Sequence, residues 1–194
     1  MLETSASLLE RLRLQPDAAA WQRLIDLYEP LIRGWLRRHQ LQLPDTDDLV
    51  QEVLAILVKE LPHFEHDQRP GAFRNWLRTT TVHCLRRFWR DRLYRPDAAG
   101  GSDWEQHLAQ LEDLGSGLSQ LWADEHDRHV LRRLLEMIEA DYQPSTWRAF
   151  RRLVLDGIPA SEVAAELGLS VNAVLIAKSR VLQRLRQEAR GLID

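Results

Sequence analysis

The sequence predicts an all-α fold in which two small helical domains are joined by an acidic linker. Apolar residues recur at helical spacing over most of the 194 residues. No stretch alternates as a strand does, and no hairpin turn pair such as Asn-Gly occurs. Charge changes sign in blocks: the net charge is +6 over residues 71–95, −8 over 96–127 and +4 over 146–190. We therefore expect helical domains at residues 5–95 and 128–194, with the acidic linker at 96–127.

Composition excludes several classes of protein. The single cysteine, Cys84, rules out an intrachain disulfide framework and a cysteine-rich zinc site. No apolar run approaches the roughly 18–20 residues that span a bilayer. The N-terminus has no basic segment followed by an apolar one, so no secretory signal is visible. We expect a cytoplasmic protein with no membrane partner, no metal and no cofactor.

The first two helices are predicted from apolar stripes and one cap. Residues 7–14 carry leucines at helical spacing, and Pro16 ends this pattern. Asp17 is a typical N-cap for a second helix, whose apolar stripe runs over residues 21–36. Pro30 lies inside that stripe, where a kink is expected.

Two further helices complete the first predicted domain. The Pro-Asp-Thr-Asp run at residues 44–47 predicts a break and a cap, followed by an apolar stripe over residues 49–61. A polar loop then leads to a helix from Phe73 to about Tyr94. The linker holds four glycines and few apolar stripes, and one helix is expected around residues 104–114.

The most specific local pattern is a helix-turn-helix at residues 160–179, ASEVAAELGLSVNAVLIAKS. Ala164 stands where the two helices cross closely, and Gly168 stands at the turn, where positive φ suits glycine. Ser170 caps the second helix, expected over residues 171–187. An ordinary helical hairpin is the alternative. The residues of the second helix expected to meet a major groove or its phosphates are Asn172, Ala173, Ile176, Lys178, Ser179, Arg180 and Arg184.

Aromatic and arginine residues are interleaved between residues 73 and 92. Rings that stack on unpaired bases, together with arginines that hold the backbone, suit single-stranded or melting DNA. We expect Phe73, Trp76 and Phe88 in the core. Trp89 lies off the main apolar stripe and is the better candidate for exposure.

An acidic cluster, Asp-Thr-Asp-Asp-Leu-Val-Gln-Glu, occupies residues 45–52. Carboxylates on the first turn of a helix are also stabilised by the helix dipole. Simple capping explains Asp45 or Asp47 but leaves Gln51 and Glu52 unexplained. Because Asp48 and Glu52 are four residues apart, they share one face, which could dock a basic partner helix.

Together these patterns resemble bacterial RNA polymerase sigma factors of the extracytoplasmic-function (ECF) group, over about residues 5–190. Residues 46–64, TDDLVQEVLAILVKELPHF, and residues 73–92, FRNWLRTTTVHCLRRFWRDR, are similar to sigma region 2. Residues 147–187, WRAFRRLVLDGIPASEVAAELGLSVNAVLIAKSRVLQRLRQ, are similar to sigma region 4.

The resemblance implies a transcription initiation factor that is not itself an enzyme and that binds core RNA polymerase and promoter DNA. The residues implied to contact the clamp helices of the polymerase β′ subunit are Asp47, Asp48, Leu49, Gln51 and Glu52. Those implied to open and read the −10 element are Arg74, Arg78, His83, Arg86, Arg87, Trp89 and Arg90. The helix-turn-helix would read the −35 element and rest on the β flap, while the acidic linker would thread towards the RNA exit path. An anti-sigma partner is left open.

Two positions depart from the family pattern. Leu175-Ile176-Ala177 stands where many members have Lys-Ser-Arg, and His83 stands where Asn is usual. Apolar residues can contact thymine methyl groups but cannot donate paired hydrogen bonds to guanine. A conventional helix-turn-helix regulator and an inactive sigma paralogue that binds polymerase without reading promoters therefore remain alternatives.

A metal-dependent enzyme is a third alternative. The sequence places His126 and His129 three residues apart, and His63 and His66 likewise, but neither pair has an evident third ligand nearby. Cys84 lies in an apolar stripe, which favours packing over a nucleophilic role.

Overall fold

The computed structural model of the chain describes residues 7–14, 17–39, 41–64, 71–93, 106, 109–110, 113 and 115–193. The α-helices are α1 (Leu8–Leu14), α2 (Ala18–Leu36), α3 (Leu43–Glu60), α4 (Ala72–Leu93), α5 (Gly117–Glu139), α6 (Pro144–Phe150), α7 (Ala160–Leu167) and α8 (Val171–Ala189). Short 3₁₀ turns follow α2 and α3, and a π turn follows α6. Across these residues no β-strand forms, and the only bridge joins Arg190 and Ile193. The all-α prediction is confirmed.

The second helix begins where its cap predicts. The Asp17 Oδ1 atom accepts a hydrogen bond from the Ala20 amide at 2.6 Å, which satisfies one of the free N–H groups at the start of α2. The helix then continues through Pro30 to Leu36.

The predicted cap at residues 44–47 is wrong, because α3 begins earlier, at Leu43. Gln42 occupies the N-cap position without a side-chain hydrogen bond. Pro44 lies in the first turn of α3. Backbone N–H groups in a first turn have no acceptor within the helix, so proline, which lacks this group, is tolerated there. Asp45 and Asp47 are therefore residues within α3 and do not cap it.

One hydrophobic core joins both halves of the chain. Its fully buried members include Tyr28 of α2, Phe73 of α4, Val130 of α5 and Val181 of α8. The C-terminal half of α8 thus packs into the same core as α1–α4. Since apolar burial is the main stabilising term in folding, this shared core holds the two predicted domains together.

The helix-turn-helix has a second, smaller core of its own. Its buried members are Ala149, Val163, Ala164, Val174 and Ala177. The two helices, α7 and α8, meet at an angle of 106°. Gly168 ends α7 at φ +65° and ψ +32°, the left-handed conformation that glycine adopts without strain. The Ser170 side chain accepts a hydrogen bond from the Ala173 amide at 3.1 Å and so caps α8. The predicted helix-turn-helix geometry is present.

The end of the predicted linker is helical. Ser116 caps α5 by accepting a hydrogen bond from the Ser119 amide at 3.1 Å, and residues 117–127 form the first three turns. These turns bury Trp122 and His126 against the first half of the chain. The helix expected around residues 104–114 lies largely outside the described residues.

Among the described residues, no single helix is long and apolar enough to cross a membrane. The helices α7 and α8 meet the length and hydropathy criteria only when taken together, and they are bent sharply at their break.

Candidate functional site

An acidic face lies along the solvent side of α3. Asp47, Asp48 and Gln51 are exposed, and Glu52 is about one-third exposed. Leu49, which we expected to contribute to the same partner contact, is buried in the core. Helical periodicity explains this difference, since Leu49 stands about 100° around the axis from Asp48.

Two members of this acidic face are already paired within the chain. Asp47 accepts a hydrogen bond from Arg33, which also binds Glu29 at 3.0 Å. These two carboxylates raise the pKa of Arg33. Glu52 forms an ion pair with Arg87 of α4. Asp48 and Gln51 have no side-chain hydrogen bond or ion pair to any described residue, so they are the members free to meet a partner.

A row of basic side chains runs along the outer surface of α4. His83, Arg86, Arg87 and Arg90 recur at spacings of three or four residues and are all exposed. This row continues the surface of the acidic face, because the Glu52–Arg87 ion pair joins the two. The region therefore carries adjacent negative and positive strips on two packed helices.

The first half of α4 is covered by α5. Arg74 Nη1 donates to Asp127 Oδ2 at 2.7 Å. Arg78 is only 3% exposed and donates to the Ser119 hydroxyl. Both arginines were predicted to meet DNA, and in this structure both are occupied by contacts with α5.

The aromatic residues of α4 serve mainly as packing surfaces. Phe73 is fully buried and contacts Tyr28 edge-on, with ring centroids 5.4 Å apart. Trp76 and Phe88 are half-buried against the same core, as expected. Trp89, expected to be exposed, is also half-buried and packs edge-on against Phe88 at 5.5 Å.

A hydrogen-bond network that joins α2, α4 and α5 was not predicted from the sequence. The Tyr28 hydroxyl lies 3.3 Å from His126 Nε2, and His126 Nδ1 lies 2.9 Å from Asp127 Oδ1. The other oxygen of Asp127 accepts from Arg74. Burial acts to raise the pKa of Asp127, but the hydrogen bonds from His126 and Arg74 outweigh burial and lower it. Burial also raises the pKa of Tyr28 well above its ordinary value.

Contacts within the chain account for both members of the histidine pair, His126 and His129, that was considered as a metal site. His126 is fully buried and bonded to Tyr28 and Asp127, and His129 Nε2 lies 2.7 Å from the Leu27 carbonyl oxygen. Burial is the main reason that the pKa of His129 is lowered. No cluster with metal-binding composition occurs in the described part of the chain, which leaves out His66.

The exposed side of α8 carries most of the residues predicted to meet the major groove. Asn172, Ile176, Lys178, Ser179 and Arg180 are exposed. The remaining predicted positions are Ala173, which is half-buried, and Arg184, which binds the buried Glu188 at 2.7 Å and lies 3.6 Å from Asp141.

The three apolar residues that depart from the family pattern do not share one environment. Ala177 is 5% exposed and belongs to the helix-turn-helix core, so it does not lie on the exposed side of α8. Leu175 and Ile176 are exposed. The difference follows from the helical repeat, which turns Ala177 towards Val163 and Val174.

Comparisons with known proteins relate this chain to one family. Residues 24–93 match the family model described as sigma-70 region 2. The proteins named "ECF RNA polymerase sigma factor SigD" from Mycobacterium bovis and from Mycobacterium tuberculosis are each 31% identical to this chain over 147 residues. The matched region is 73% of this chain and 62% of each relative, so the chain spans less than two thirds of the length of these relatives.

Proposed function

Because this chain belongs to the extracytoplasmic-function group of RNA polymerase sigma factors, we propose that it is a transcription initiation factor. It binds core RNA polymerase and directs the enzyme to promoters through −10 and −35 elements. The observation that carries this proposal is the pairing of an acidic face on α3 with a basic row on α4, within the segment that matches sigma-70 region 2.

The acidic face is the proposed contact with the β′ clamp helices of the polymerase. Asp48 and Gln51 make the first contacts, since neither has a partner among the described residues. Asp47 and Glu52 exchange their intramolecular partners, Arg33 and Arg87, for basic residues of the polymerase. Surface ion pairs contribute at most about 1 kcal/mol each, so such an exchange is energetically accessible.

The basic row of α4 is the proposed contact with the −10 element. His83, Arg86, Arg87 and Arg90 are exposed, and we propose that they contact the DNA backbone and unpaired bases. Arg74 and Arg78 join them only when α5 moves away, since both are bound by that helix. Half-buried Trp89 is the proposed ring for stacking on an unpaired base. The chain therefore differs in its capacity to bind DNA between a packed arrangement, in which α5 binds Arg74 and Arg78, and an open arrangement, in which α5 has moved away.

The C-terminal unit is the proposed reader of the −35 element, with its domain resting on the β flap. We propose domain limits of 5–95 and 128–194 for the two DNA-binding parts, with residues 96–127 between them. The first turns of α5, which begins at Gly117, form part of the contact between α5 and α4 that holds the packed arrangement.

The proposal is tested by binding and transcription with purified bacterial core RNA polymerase. The variant Asp48→Arg reverses a free carboxylate of the acidic face and is expected to weaken polymerase binding at least tenfold. The matched control is Glu60→Arg, an exposed charge reversal at the end of α3, beyond the acidic face, which is expected to bind as the wild type does. Glu52 is less suitable for this test, because its reversal places an arginine beside Arg87.

Transcription is then measured from a randomised promoter library. Two enriched motifs spaced as −10 and −35 elements support the proposal. Failure of the wild-type chain to bind core polymerase overturns it. Binding without transcription favours the alternative, a polymerase-binding paralogue that does not read promoters.

A further inference from the structure

The outward face of α8 is apolar at its centre. Successive residues turn by about 100° around a helix, so Asn172, Leu175, Ile176 and Ser179 stand opposite the buried seam. The residues of that seam are Val174, Ala177, Val181 and Leu185. Leu175 is 46% exposed and Ile176 is 42% exposed. Neither packs against the two hydrophobic cores.

These two residues occupy the part of the helix that approaches base edges. In a helix-turn-helix the N-terminal residues of the second helix meet the bases, and Leu175 and Ile176 are the fifth and sixth residues of α8. Between Val171 and Ile176 the helix has no basic side chain, so it offers no paired donor for guanine. The 5-methyl group of thymine is the apolar group that bases present in the major groove, and isobutyl and sec-butyl side chains are suited to contact it.

The charged residues beside this apolar face favour DNA as its partner. Lys178 and Arg180 are exposed and stand about 200° apart measured across the outward face, one on each side of the Leu175 and Ile176 pair. Neither forms an ion pair with a described residue. The acidic residue of α8, Glu188, is buried and bound to Arg184. Cations on both edges of an apolar strip match the two phosphate backbones that border a major groove.

We propose that Leu175 and Ile176 are specificity-determining residues that read thymines in the −35 element through their 5-methyl groups. This inference rests on the proposed function, because it requires that α8 bind the −35 element. Lys178 and Arg180 position the helix on the phosphates, and the apolar pair selects the bases. The −35 elements of this factor are therefore expected to contain thymines at the positions facing α8.

The test uses the full chain bound to core RNA polymerase and a promoter selected from the randomised library. Each thymine of its −35 element is replaced by deoxyuridine, which lacks only the methyl group. For the wild type, each replacement at a contacted position is expected to weaken promoter binding about fourfold, the fold-change that corresponds to one buried methyl-sized group. The variant Leu175→Ala/Ile176→Ala is expected to bind thymine and deoxyuridine promoters equally.

Leu155→Ala is the matched control, because Leu155 is 52% exposed but lies outside α8. This control is expected to keep the wild-type sensitivity to deoxyuridine. Wild-type binding that is indifferent to deoxyuridine, a selected −35 element without thymine, or a double variant that keeps the sensitivity overturns the inference while leaving promoter-directed transcription intact. Absence of transcription from every promoter overturns the proposed function and, with it, this inference.

Discussion

Replacing Asp127 with alanine removes the carboxylate that joins α5 to α4. Its oxygens bind Arg74 at 2.7 Å and His126 at 2.9 Å, and the Asp127 side chain is 33% exposed. A hydrogen bond to a charged group contributes about 1.5–3 kcal/mol, and partial exposure reduces this, so the two bonds together contribute about 2–3 kcal/mol. We expect Asp127→Ala to lower the free energy of unfolding by that amount in a urea titration.

Asp124→Ala is the matched control for this substitution. Asp124 lies one turn earlier on α5, is 67% exposed and pairs with Arg128 at 3.8 Å. Exposed pairs of this kind contribute little, so its loss is expected to change the free energy of unfolding by less than about 0.5 kcal/mol. Equal effects of the two substitutions would refute the reasoning that the Asp127 network holds α5 on α4.

The lowered pKa of Asp127 leads to a prediction of how the stability of the folded chain changes with pH. The pKa of Asp127 in the folded chain lies below its ordinary value of 3.8, because the bonds from His126 and Arg74 outweigh burial. A carboxyl group with a lowered folded pKa stabilises the fold above its unfolded pKa, and this contribution is lost as pH falls through the folded pKa. The difference in stability between wild type and Asp127→Ala is therefore expected to shrink as the pH falls below about 4.

Three further predictions concern packing and capping. Burial raises the pKa of the Cys84 thiol to about 11; at pH 8, a thiol reagent should label the native chain at least about 100-fold more slowly than the urea-unfolded chain. Equal labelling rates would contradict its burial. Ser170→Ala is expected to lower the free energy of unfolding by about 1 kcal/mol through loss of the α8 cap, whereas Ser179→Ala, on an exposed helical position, should not lower it. Phe73→Ala should cost about 3–5 kcal/mol in the same titration, and a loss no greater than that of Leu14→Ala, at a 77% exposed site, would exclude Phe73 from the core.

Local features of the chain were predictable because they depend on nearby residues. Asp17 caps α2 and Ser170 caps α8 through hydrogen bonds to amides three residues away. Gly168 ends α7 because a left-handed residue is needed there. The start of α3 was misplaced by a local ambiguity, since proline is tolerated in a first turn as well as in a break.

The candidate site was predictable only in part. The acidic and basic residues follow from the sequence, and helical periodicity alone indicates which of them share a face. The burial of Leu49 and Ala177 could have been read from the same periodicity. The occupation of Arg74 and Arg78 could not, because their partners lie 53 and 41 residues away along the chain.

The helices, the helix-turn-helix and the distribution of charge could be predicted from the order of residues alone, since each depends on spacing within a few turns. The tertiary structure was needed to establish that α5 lies over the first half of α4. It also decided that Tyr28 meets His126 across 98 residues and that Asp127 receives Arg74. Such contacts depend on how apolar faces from distant segments pack into one core, and periodicity specifies each face without specifying its partner.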